Sequence, residues 1–344
     1  MTMDARRFVS GRRRPVPSGA GALVEMVPPA DRGLPLMVTA TVAGVDLRGW
    51  AADHRTDLEQ RLHRHGAVLF RGFGPPSVPD FEAFFASLYP DLVAEHERSS
   101  PRSHVAGNVF TSTDHPADQR IFVHNEMSYS STWPARLAFH CVVAPETGGQ
   151  TPLADVREVY RLIDPAIRDR LVRRGVCYVR NYGDRFGLPW QTSFQTDDRA
   201  RLEEYARQAG LTVVWRPDGG LRTRRIGPVT ARHPVTGDVV WFNHATFFHV
   251  STLEPTIRDG LLAELPEEDL PANSYYADGA PIEPEVLDHL RAAYERATVS
   301  FPWRAGDILL VDNMLAAHGR APFTGARKVV VAMAQPVAEA ETRV

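Results

Sequence analysis

The spacing of apolar and polar residues along the chain predicts four amphipathic helices. Residues 50–66 (WAADHRTDLEQRLHRHG) carry two leucines four positions apart and end at a glycine. Because residues three or four positions apart share one face of a helix, and glycine commonly follows a helix, this segment is predicted to be helical. Residues 76–90 (PSVPDFEAFFASLYP), bracketed by prolines, are predicted to form a second helix. Segments 197–210 and 282–298 are predicted to be helices as well.

Short apolar runs elsewhere predict buried β-strands. Residues 66–73 (GAVLFRGF) form one such run, and residues 137–145 (LAFHCVVAP) are rich in β-branched and aromatic residues, which favour strands. Residues 228–244 are predicted to form a hairpin, and residues 306–319 and 327–336 are each predicted to form a strand. Many short strands with glycine and proline turns favour a mostly β fold with helical decoration, either a barrel or a double-sheet sandwich.

The N-terminal composition predicts where the folded domain begins. Residues 1–34 are rich in arginine, proline and glycine with little periodicity, which predicts a flexible arm. The remaining residues, 35–344, are predicted to form a single domain of the size of a large β-rich enzyme. The arm lacks the apolar segment of a signal peptide, and no run approaches the ~20 apolar residues of a membrane span. We therefore expect a cytoplasmic protein that does not enter the membrane.

Charge and cysteine content narrow the functional classes. The formal net charge is −3 at pH 7, and no basic block suggests a nucleic-acid partner. The basic residues are almost all arginine, since Lys328 is the only lysine. Cys141 and Cys177 do not form a C-x-x-C pair, so they are expected to be reduced, buried small residues.

The segment VHNEMSYSS (123–131) places a histidine and a glutamate two positions apart. On an extended chain such residues point to the same side, so His124 and Glu126 can approach one metal ion. His318, at the end of the apolar run ILLVDNMLAAH, is the best candidate for a third ligand. Two histidines and one carboxylate form the facial triad of non-haem Fe(II) oxygenases, which leaves open positions for cosubstrate and O₂. An isolated His-x-Glu pair is far more often surface chemistry, so the pair alone leaves the site open.

Five stretches of the chain, in this order, strengthen the metal interpretation. They are HRHGAVLFRGF (63–73), VHNEMSYS (123–130), GGQTPLADVREVYRLID (148–164), WFNHATFFH (241–249) and GDILLVDNMLAAHGRAPFTGARKVVVAMA (306–334). Together they resemble the Fe(II)/2-oxoglutarate-dependent oxygenases of the taurine dioxygenase type. Their antibiotic-biosynthesis branch, with the syringomycin aspartyl β-hydroxylase and clavaminate synthase groups, is the most similar. The resemblance implies a double-stranded β-helix (jelly-roll) core.

The resemblance also implies an Fe(II) centre with 2-oxoglutarate and O₂ as cosubstrates. His124, Glu126 and His318 resemble the iron ligands. Arg327, nine residues after His318, resembles the arginine that pairs with the distal carboxylate of 2-oxoglutarate, since a guanidinium offers a bidentate fork to a carboxylate. Thr151 matches the threonine whose hydroxyl supports the same carboxylate.

Further site candidates have structural alternatives. Arg320 is a second arginine for the cosubstrate, with an ion pair at the barrel rim as the alternative. Substrate contact is expected for five residues near the ligands or where relatives place substrate-facing groups: Tyr129, Ser128, His244, Phe247 and Asn108. Core packing or a turn is the alternative for the last three. Trp303 is expected to be a core aromatic residue. Lid loops that set specificity are expected at 95–120 and 181–225.

The implied activity is that of a 2-oxoglutarate-dependent dioxygenase. Its substrate is expected to be an amino acid or amino-acid-derived group, free or presented by a carrier protein, that is hydroxylated while succinate and CO₂ are released. Desaturation and cyclisation are alternatives on the same iron chemistry. Glu126 argues against halogenation, because related halogenases lack the carboxylate and bind chloride in its place. Two other classes stay open: a zinc-dependent hydrolase with the same ligands and a non-catalytic cupin-like binding protein.

Overall fold

The first strand among the described residues lies inside the segment predicted to be an arm. The computed structural model describes residues 23–29, 33–74, 76–93, 97–99, 102–112, 115–183 and 187–344. Most of the predicted arm, 1–34, therefore lies outside the described residues. Its described part contains strand β1 (Val24–Val27), which pairs antiparallel with β2 (Leu36–Ala40). The β-structure thus begins before residue 35.

Within the described ranges, strands and helices alternate along the chain. The strands after β2 are β3 Ala67–Arg71, β4 His104–Ala106, β5 Val109–Thr111, β6 Ile121–His124, β7 Thr132–Val143, β8 Thr147–Gly148, β9 Leu153–Asp155, β10 Val176–Tyr182, β11 Thr212–Trp215, β12 Leu221–Gly227, β13 Thr230–Arg232, β14 Val239–Trp241, β15 Ala272–Tyr276, β16 Thr298–Val299, β17 Ile308–Asp312, β18 Ala316–Arg320, β19 Phe323–Thr324 and β20 Lys328–Ala338. The α-helices are α1 Leu47–Asp53, α2 Arg55–His65, α3 Val78–Leu88, α4 Val156–Leu162, α5 Pro165–Arg174, α6 Trp190–Phe194, α7 Arg199–Ala209, α8 Ala245–Phe248, α9 Pro255–Glu264 and α10 Pro284–Ala297.

The predicted helices are confirmed, with one of them divided. Segment 50–66 contains most of α1 and all of α2, which meet at His54. Gly66 ends α2 in the left-handed conformation, φ 69°, as the predicted glycine stop requires. Helix α3 starts from a capping box in which the Ser77 side chain accepts from the backbone of Asp80 and the Asp80 side chain accepts in return. The predicted hairpin over 228–244 is the pair β13–β14.

An eight-stranded sheet, in the order β1-β2-β3-β17-β7-β20-β5-β4, separates two apolar layers. In β17, Ile308 and Leu310 pack with helices α1 to α3, whereas Leu309 and Val311 point to the opposite side. Successive residues of a strand face opposite sides, so a strand buried on both faces is apolar at every position. This is why the run ILLV carries no alternation that would reveal its two faces.

A second sheet, in the order β16-β9-β18-β6, packs against the first. Leu153 of β9 and Ala316 of β18 belong to the same buried cluster as Leu137 and Leu309 of the large sheet. Two sheets pressed face to face around one apolar layer form the predicted double-stranded β-helix, or jelly roll. The fold prediction is thus confirmed, and the smaller sheet carries two of the predicted ligands on β6 and β18.

The predicted lid at 181–225 contains the predicted helix over 197–210 and further regular structure. Its described residues include α6, α7, β11 and β12, which belong to a four-stranded sheet in the order β11-β12-β10-β15 and its helical cover. The other predicted lid, 95–120, contains the short hairpin β4–β5. Cys141 and Cys177 are free and buried, as expected. Among the described residues, no helix has both the length and the apolar character needed to span a membrane.

Candidate active site

Strand pairing in the smaller sheet brings two of the predicted ligands together. His318 on β18 lies directly opposite His124 on β6 in the antiparallel register. Their ring centroids are 4.7 Å apart. Directly opposed residues of antiparallel strands have side chains on the same face, so the register alone positions both imidazoles. The two histidines are 194 positions apart in sequence, and the jelly-roll topology brings them together.

Glu126 joins them because the chain turns just after β6. The strand ends at His124, and Met127 adopts a left-handed backbone with φ 56°. The side chain of Asn313 forms hydrogen bonds with both the N–H and the carbonyl of Glu126. Its Oδ1 accepts from the Glu126 N–H at 2.7 Å, and its Nδ2 donates to the Glu126 carbonyl at 2.9 Å. Nδ2 also donates to the carbonyl of Pro134, and Asn313 is fully buried.

Sequence reasoning missed Asn313 because its side chain acts on the backbone of a ligand. The only signal was a polar Asp-Asn pair, Asp312 and Asn313, inside an otherwise apolar run. A buried amide in such a run needs partners for its donors and acceptor, and here the ligand-bearing turn supplies them.

The electrostatic environment favours an ionised Glu126 beside a neutral His124. Burial opposes ionisation of Glu126, but the Arg102 guanidinium, 2.7 Å from Oε2, together with both histidines holds its pKa well below the usual range. Burial, and then the nearby His318, lower the pKa of His124 to about 4. At neutral pH the site therefore offers one anionic oxygen and an imidazole free of its extra proton. Arg102 is a further site residue that sequence reasoning did not identify.

This donor set fits a divalent iron ion. His124, Glu126 and His318 each offer one ligand atom, and these atoms lie within 4.8 Å of one another. His124 Nδ1 is 2.9 Å from the carbonyl oxygen of Phe122, which only a protonated Nδ1 can satisfy. Its Nε2 then keeps a lone pair for the metal, as in many histidine sites oriented by a backbone carbonyl. Two imidazoles and one carboxylate suit non-haem Fe(II).

A second cluster of possible metal ligands contacts an arginine side chain instead of surrounding a space for a metal ion. His63, His233 and Asp312 also have ligand atoms within 4.8 Å of one another. The Arg136 guanidinium, however, donates to Asp312 at 2.7 Å and lies 2.9 Å from His63 Nε2. Because a fixed cation already occupies the space between these groups, the cluster is an internal ion-pair network.

The ligand cluster opens into a cavity of about 540 Å³ that also contains the predicted cosubstrate residues. Thr151 and Arg327 both line it, and Arg327 lies directly before β20. Burial, and then the neighbouring Arg320, lower the pKa of Arg327 to about 10. Arg327 forms no ion pair with any described residue; its Nε donates to the carbonyl of Gly149 at 2.9 Å. A partly buried guanidinium without an anion is a natural binding group for a carboxylate.

Two glycines hold this part of the cavity in shape. Gly148 and Gly149 have φ values of 69° and 65°, in the left-handed region. A Cβ on Gly149 would lie 2.7 Å from Pro145 and 3.0 Å from the Arg327 side chain. The turn ETGGQ therefore needs glycine both for its backbone and for the close passage of Arg327.

Arg320 lines the cavity but uses its guanidinium on backbone oxygens. It donates to the carbonyls of His115 and Gln119, each at 2.8 Å, and to that of Pro116. The ion pair proposed as its alternative role is not found among the described residues. These bonds hold the segment 115–119 over the cavity.

The five predicted substrate residues occupy different positions. Phe247 lines the cavity and its ring centroid lies 4.3 Å from that of His124. Ser128 and His244 are buried behind it and share a hydrogen bond of 2.6 Å. Tyr129 is buried, and its hydroxyl donates to the carbonyl of Glu97. The other four do not line the cavity: Tyr129, Ser128, His244 and Asn108.

Asn108 lies in the β4–β5 turn, away from the ligands. Its backbone N–H donates to Glu82 of α3 at 2.7 Å, and its side-chain amide faces the same carboxylate at 3.4 Å. The turn role, given above as the alternative, accounts for this position, and the structure does not bring Asn108 to the substrate cavity.

Comparison with known proteins places this chain in a family. The family model described as "Taurine catabolism dioxygenase TauD, TfdA family" matches residues 30–333. The dapdiamide synthesis protein DdaC of Enterobacter agglomerans is 37% identical over 301 residues, which cover 88% of this chain and 91% of that protein. A clavaminate synthase-like protein of Arabidopsis thaliana is 32% identical over 287 residues, which cover 80% and 83%.

Solved structures share the fold at lower identity. The crystal structure of AAD-2 in complex with Mn(II) and N-oxalylglycine has a TM-score of 0.54 at 13% identity, and covers 90% of this chain and 96% of that chain. The PvcB protein from Pseudomonas aeruginosa has a TM-score of 0.52 at 18% identity, and covers 91% and 92%. Fe(II), 2-oxoglutarate and O₂ are the cofactor and cosubstrates of the family that the sequence matches. The chain belongs to the taurine catabolism dioxygenase TauD, TfdA family and is a 2-oxoglutarate-dependent dioxygenase.

Proposed function

We propose that this dioxygenase hydroxylates an unactivated C–H bond of an amino acid or amino-acid-derived group in specialised metabolite biosynthesis. His124, Glu126 and His318 hold the iron. Arg327 and Thr151 bind 2-oxoglutarate. The observation that carries the proposal is the convergence of three ligand atoms within 4.8 Å beside a cavity-lining arginine that has no anionic partner among the described residues.

Each group of the site has a defined task in this proposal. Arg102 keeps Glu126 ionised, so that the metal meets an anionic oxygen. Arg327 neutralises and orients the distal carboxylate of the cosubstrate. The Phe247 ring packs against His124 and the Phe139 ring against His318, with ring centroids 4.3 Å and 5.0 Å apart. Both phenylalanines keep water away from the imidazole rings. When bound, Fe(II) with 2-oxoglutarate and O₂ supplies the oxidising chemistry, so that R–H becomes R–OH as succinate and CO₂ form.

Support for the substrate class comes from the site and from a relative. The relative DdaC is named as a dapdiamide synthesis protein, which supports a role in specialised metabolism. The cavity volume of about 540 Å³ accommodates an amino-acid derivative together with the cosubstrate. The substrate is either free or presented by a carrier protein. Glu126 fills the ligand position that chloride would need, so halogenation is not expected.

Succinate formation tests the proposal directly. The purified protein is incubated with Fe(II), ascorbate, 2-oxoglutarate and a panel of amino acids, supplied free or as thioesters on a carrier protein. Substrate-dependent succinate and a product heavier by one oxygen atom support hydroxylation. A product lighter by two hydrogen atoms indicates desaturation or cyclisation. Tight zinc binding without succinate formation, coupled or uncoupled, overturns the proposed hydroxylation at this site.

Metal binding tests the ligand assignment without turnover. His318→Ala is expected to abolish stoichiometric Fe(II) binding, because two protein ligands remain. His249→Asn is the matched control: His249 is a partly buried histidine near the site that does not line the cavity. Unchanged iron stoichiometry in His318→Ala removes His318 from the site.

A further inference from the structure

Trp303 contacts Thr151, whose hydroxyl belongs to the proposed cosubstrate site. Its indole Nε1 donates to Thr151 Oγ1 at 3.0 Å, and both side chains are buried. The ring packs against Phe301, with centroids 5.4 Å apart, in the apolar cluster between the two sheets. The expectation that Trp303 is a core aromatic residue is confirmed, but its polar edge points to a residue of the cavity wall.

This hydrogen bond fixes the polarity of the Thr151 hydroxyl. A hydroxyl has one hydrogen to donate and lone pairs that accept, whereas an indole N–H can only donate. Because Trp303 occupies a lone pair of Thr151, the hydroxyl hydrogen has to point elsewhere. Among the described residues, nothing accepts it. Thr151 lines the cavity that also contains Arg327, so the hydrogen is available to a ligand there.

We propose that Trp303 is a positioning residue that orients the Thr151 hydroxyl as a hydrogen-bond donor to the distal carboxylate of 2-oxoglutarate. This inference rests on the proposed function, in which Thr151 and Arg327 bind that carboxylate. The Arg327 guanidinium can only donate, and the indole N–H, by occupying one of the two lone pairs of Thr151, leaves the hydroxyl hydrogen free to point into the cavity. Arg327 and Thr151 together then offer donors to an acceptor-only group, which favours 2-oxoglutarate over a 2-oxo acid without a distal carboxylate.

Equilibrium binding to the Fe(II)-loaded protein under anaerobic conditions tests this role without turnover. Trp303→Phe removes the N–H and keeps an aromatic ring in the core. We expect the Kd for 2-oxoglutarate to rise about fivefold to tenfold, the loss of roughly one hydrogen bond. The probe 2-oxobutyrate, which lacks the distal carboxylate, is expected to bind wild type and variant equally. The ratio of the two Kd values is the readout that altered packing alone would not change.

A double-mutant cycle shows whether Trp303 acts through Thr151. Thr151→Val removes the hydroxyl at nearly constant volume and is expected to weaken 2-oxoglutarate binding at least as much as Trp303→Phe does. The double variant is expected to bind no more weakly than Thr151→Val alone, since the indole then has no hydroxyl to orient. Trp241→Phe is the matched control: Trp241 is fully buried and its Nε1 has no hydrogen-bond partner among the described residues.

Several results would overturn the inference. Equal losses of both probes in Trp303→Phe would show a packing effect, and additive losses in the double variant would show that Trp303 acts independently of Thr151. An unchanged Kd for 2-oxoglutarate in Trp303→Phe would remove the role entirely. If the iron-loaded wild type itself fails to bind 2-oxoglutarate, the proposed function fails first, so the two failures are distinguishable.

Discussion

Asn313 is expected to hold Glu126 in position for the proposed metal site, although it is not itself a predicted ligand. Its amide fixes both the N–H and the carbonyl of Glu126. Asn313→Ala leaves these two buried groups without partners and frees the turn. Groups that orient ligands typically change metal affinity 10- to 100-fold, and we expect a loss of Fe(II) affinity about that large. Titration of the apo protein with Fe(II) measures it.

The control for Asn313 is another buried asparagine with the same kind of bonds. Asn243 donates to the carbonyl of Val229 at 2.8 Å and accepts from the Ala245 N–H at 3.0 Å. Asn243→Ala is therefore expected to lower the free energy of unfolding about as much as Asn313→Ala does. Its metal affinity is expected to stay near that of the wild type. Equal iron affinity in the two variants would contradict the positioning role of Asn313.

The two arginines of the cavity are expected to differ in their effect on the cosubstrate. Arg327 has no anionic partner among the described residues, whereas Arg320 is engaged with three backbone carbonyls. Losing a hydrogen bond to a charged group costs about 1.5–3 kcal/mol, so Arg327→Leu should raise the Kd for 2-oxoglutarate roughly 10- to 150-fold. Arg320→Leu should loosen the segment 115–119 and change this Kd much less. A larger effect of Arg320→Leu would exchange the two assignments.

Ligand candidates were accessible from the sequence because each is a chemically distinctive side chain in a short motif. The structure brings His124, Glu126 and His318 into one cluster, as the motif order suggested. Residues that act through hydrogen bonds to the backbone or to another side chain leave no such motif. Asn313 and Trp303 look like ordinary core residues until their partners, 187 and 152 positions away, are known.

The Gly148–Gly149 turn lies against Arg327, the proposed cosubstrate residue. Gly149→Ala adds a Cβ in a left-handed conformation, 2.7 Å from Pro145 and 3.0 Å from Arg327. The new atom has to displace the arginine or the turn. We expect weaker 2-oxoglutarate binding by about tenfold and a loss of about 1–3 kcal/mol in the free energy of unfolding. Binding titration and urea denaturation measure the two effects.

Gly237 separates the effect of backbone strain from that of crowding. Its φ is 74°, in the same region as that of Gly149, but a Cβ there would meet nothing within 4 Å. Gly237→Ala is therefore expected to lower stability through strain alone and to leave 2-oxoglutarate binding unchanged. If Gly149→Ala also left binding unchanged, the turn would have no part in placing Arg327.

Element types were predictable from local patterns, and their ends and partners were not. Segment 306–319 was predicted as one strand but forms β17 and β18, because Asn313 and its neighbours turn the chain between the sheets. The apolar run continues through the turn, since both strands and the turn are buried. Which strands pair was also hidden, because register depends on residues far apart in sequence.

The cavity beside the predicted metal ligands is formed by residues from many parts of the chain. Its wall draws on residues from Ser99 to Arg327, contributed by both sheets and by α9 and α10. No single segment encodes its shape, so the sequence predicted the metal chemistry more closely than the substrate. The 181–225 region shows the same point, because the helix over 197–210 was predicted from local spacing, whereas α6, β11 and β12 were not.

Burial of many histidines makes the stability of the whole molecule depend on pH. Burial is the largest cause of a lowered pKa at seven of them: His63, His65, His115, His124, His140, His244 and His249. For His124 and His249 the folded pKa is about 4, against about 6.5 in an unfolded chain. Between these values the unfolded state binds more protons, so stability is full above about pH 6.5 and falls as the pH decreases toward 4.

The pH dependence is measurable by urea denaturation of the metal-free protein. Each such histidine contributes up to about 1.4 kcal/mol per pH unit within its window. We expect the free energy of unfolding to decrease steadily from about pH 7 to about pH 5. Burial raises the pKa of Glu97, so this one carboxyl group favours the folded state as the pH falls and opposes the trend. His249→Asn keeps an acceptor for the Ser251 N–H and removes one titrating group, so its curve should be shallower. A stability that is constant or rises toward pH 5 would show that the buried histidines accept protons without loss of packing.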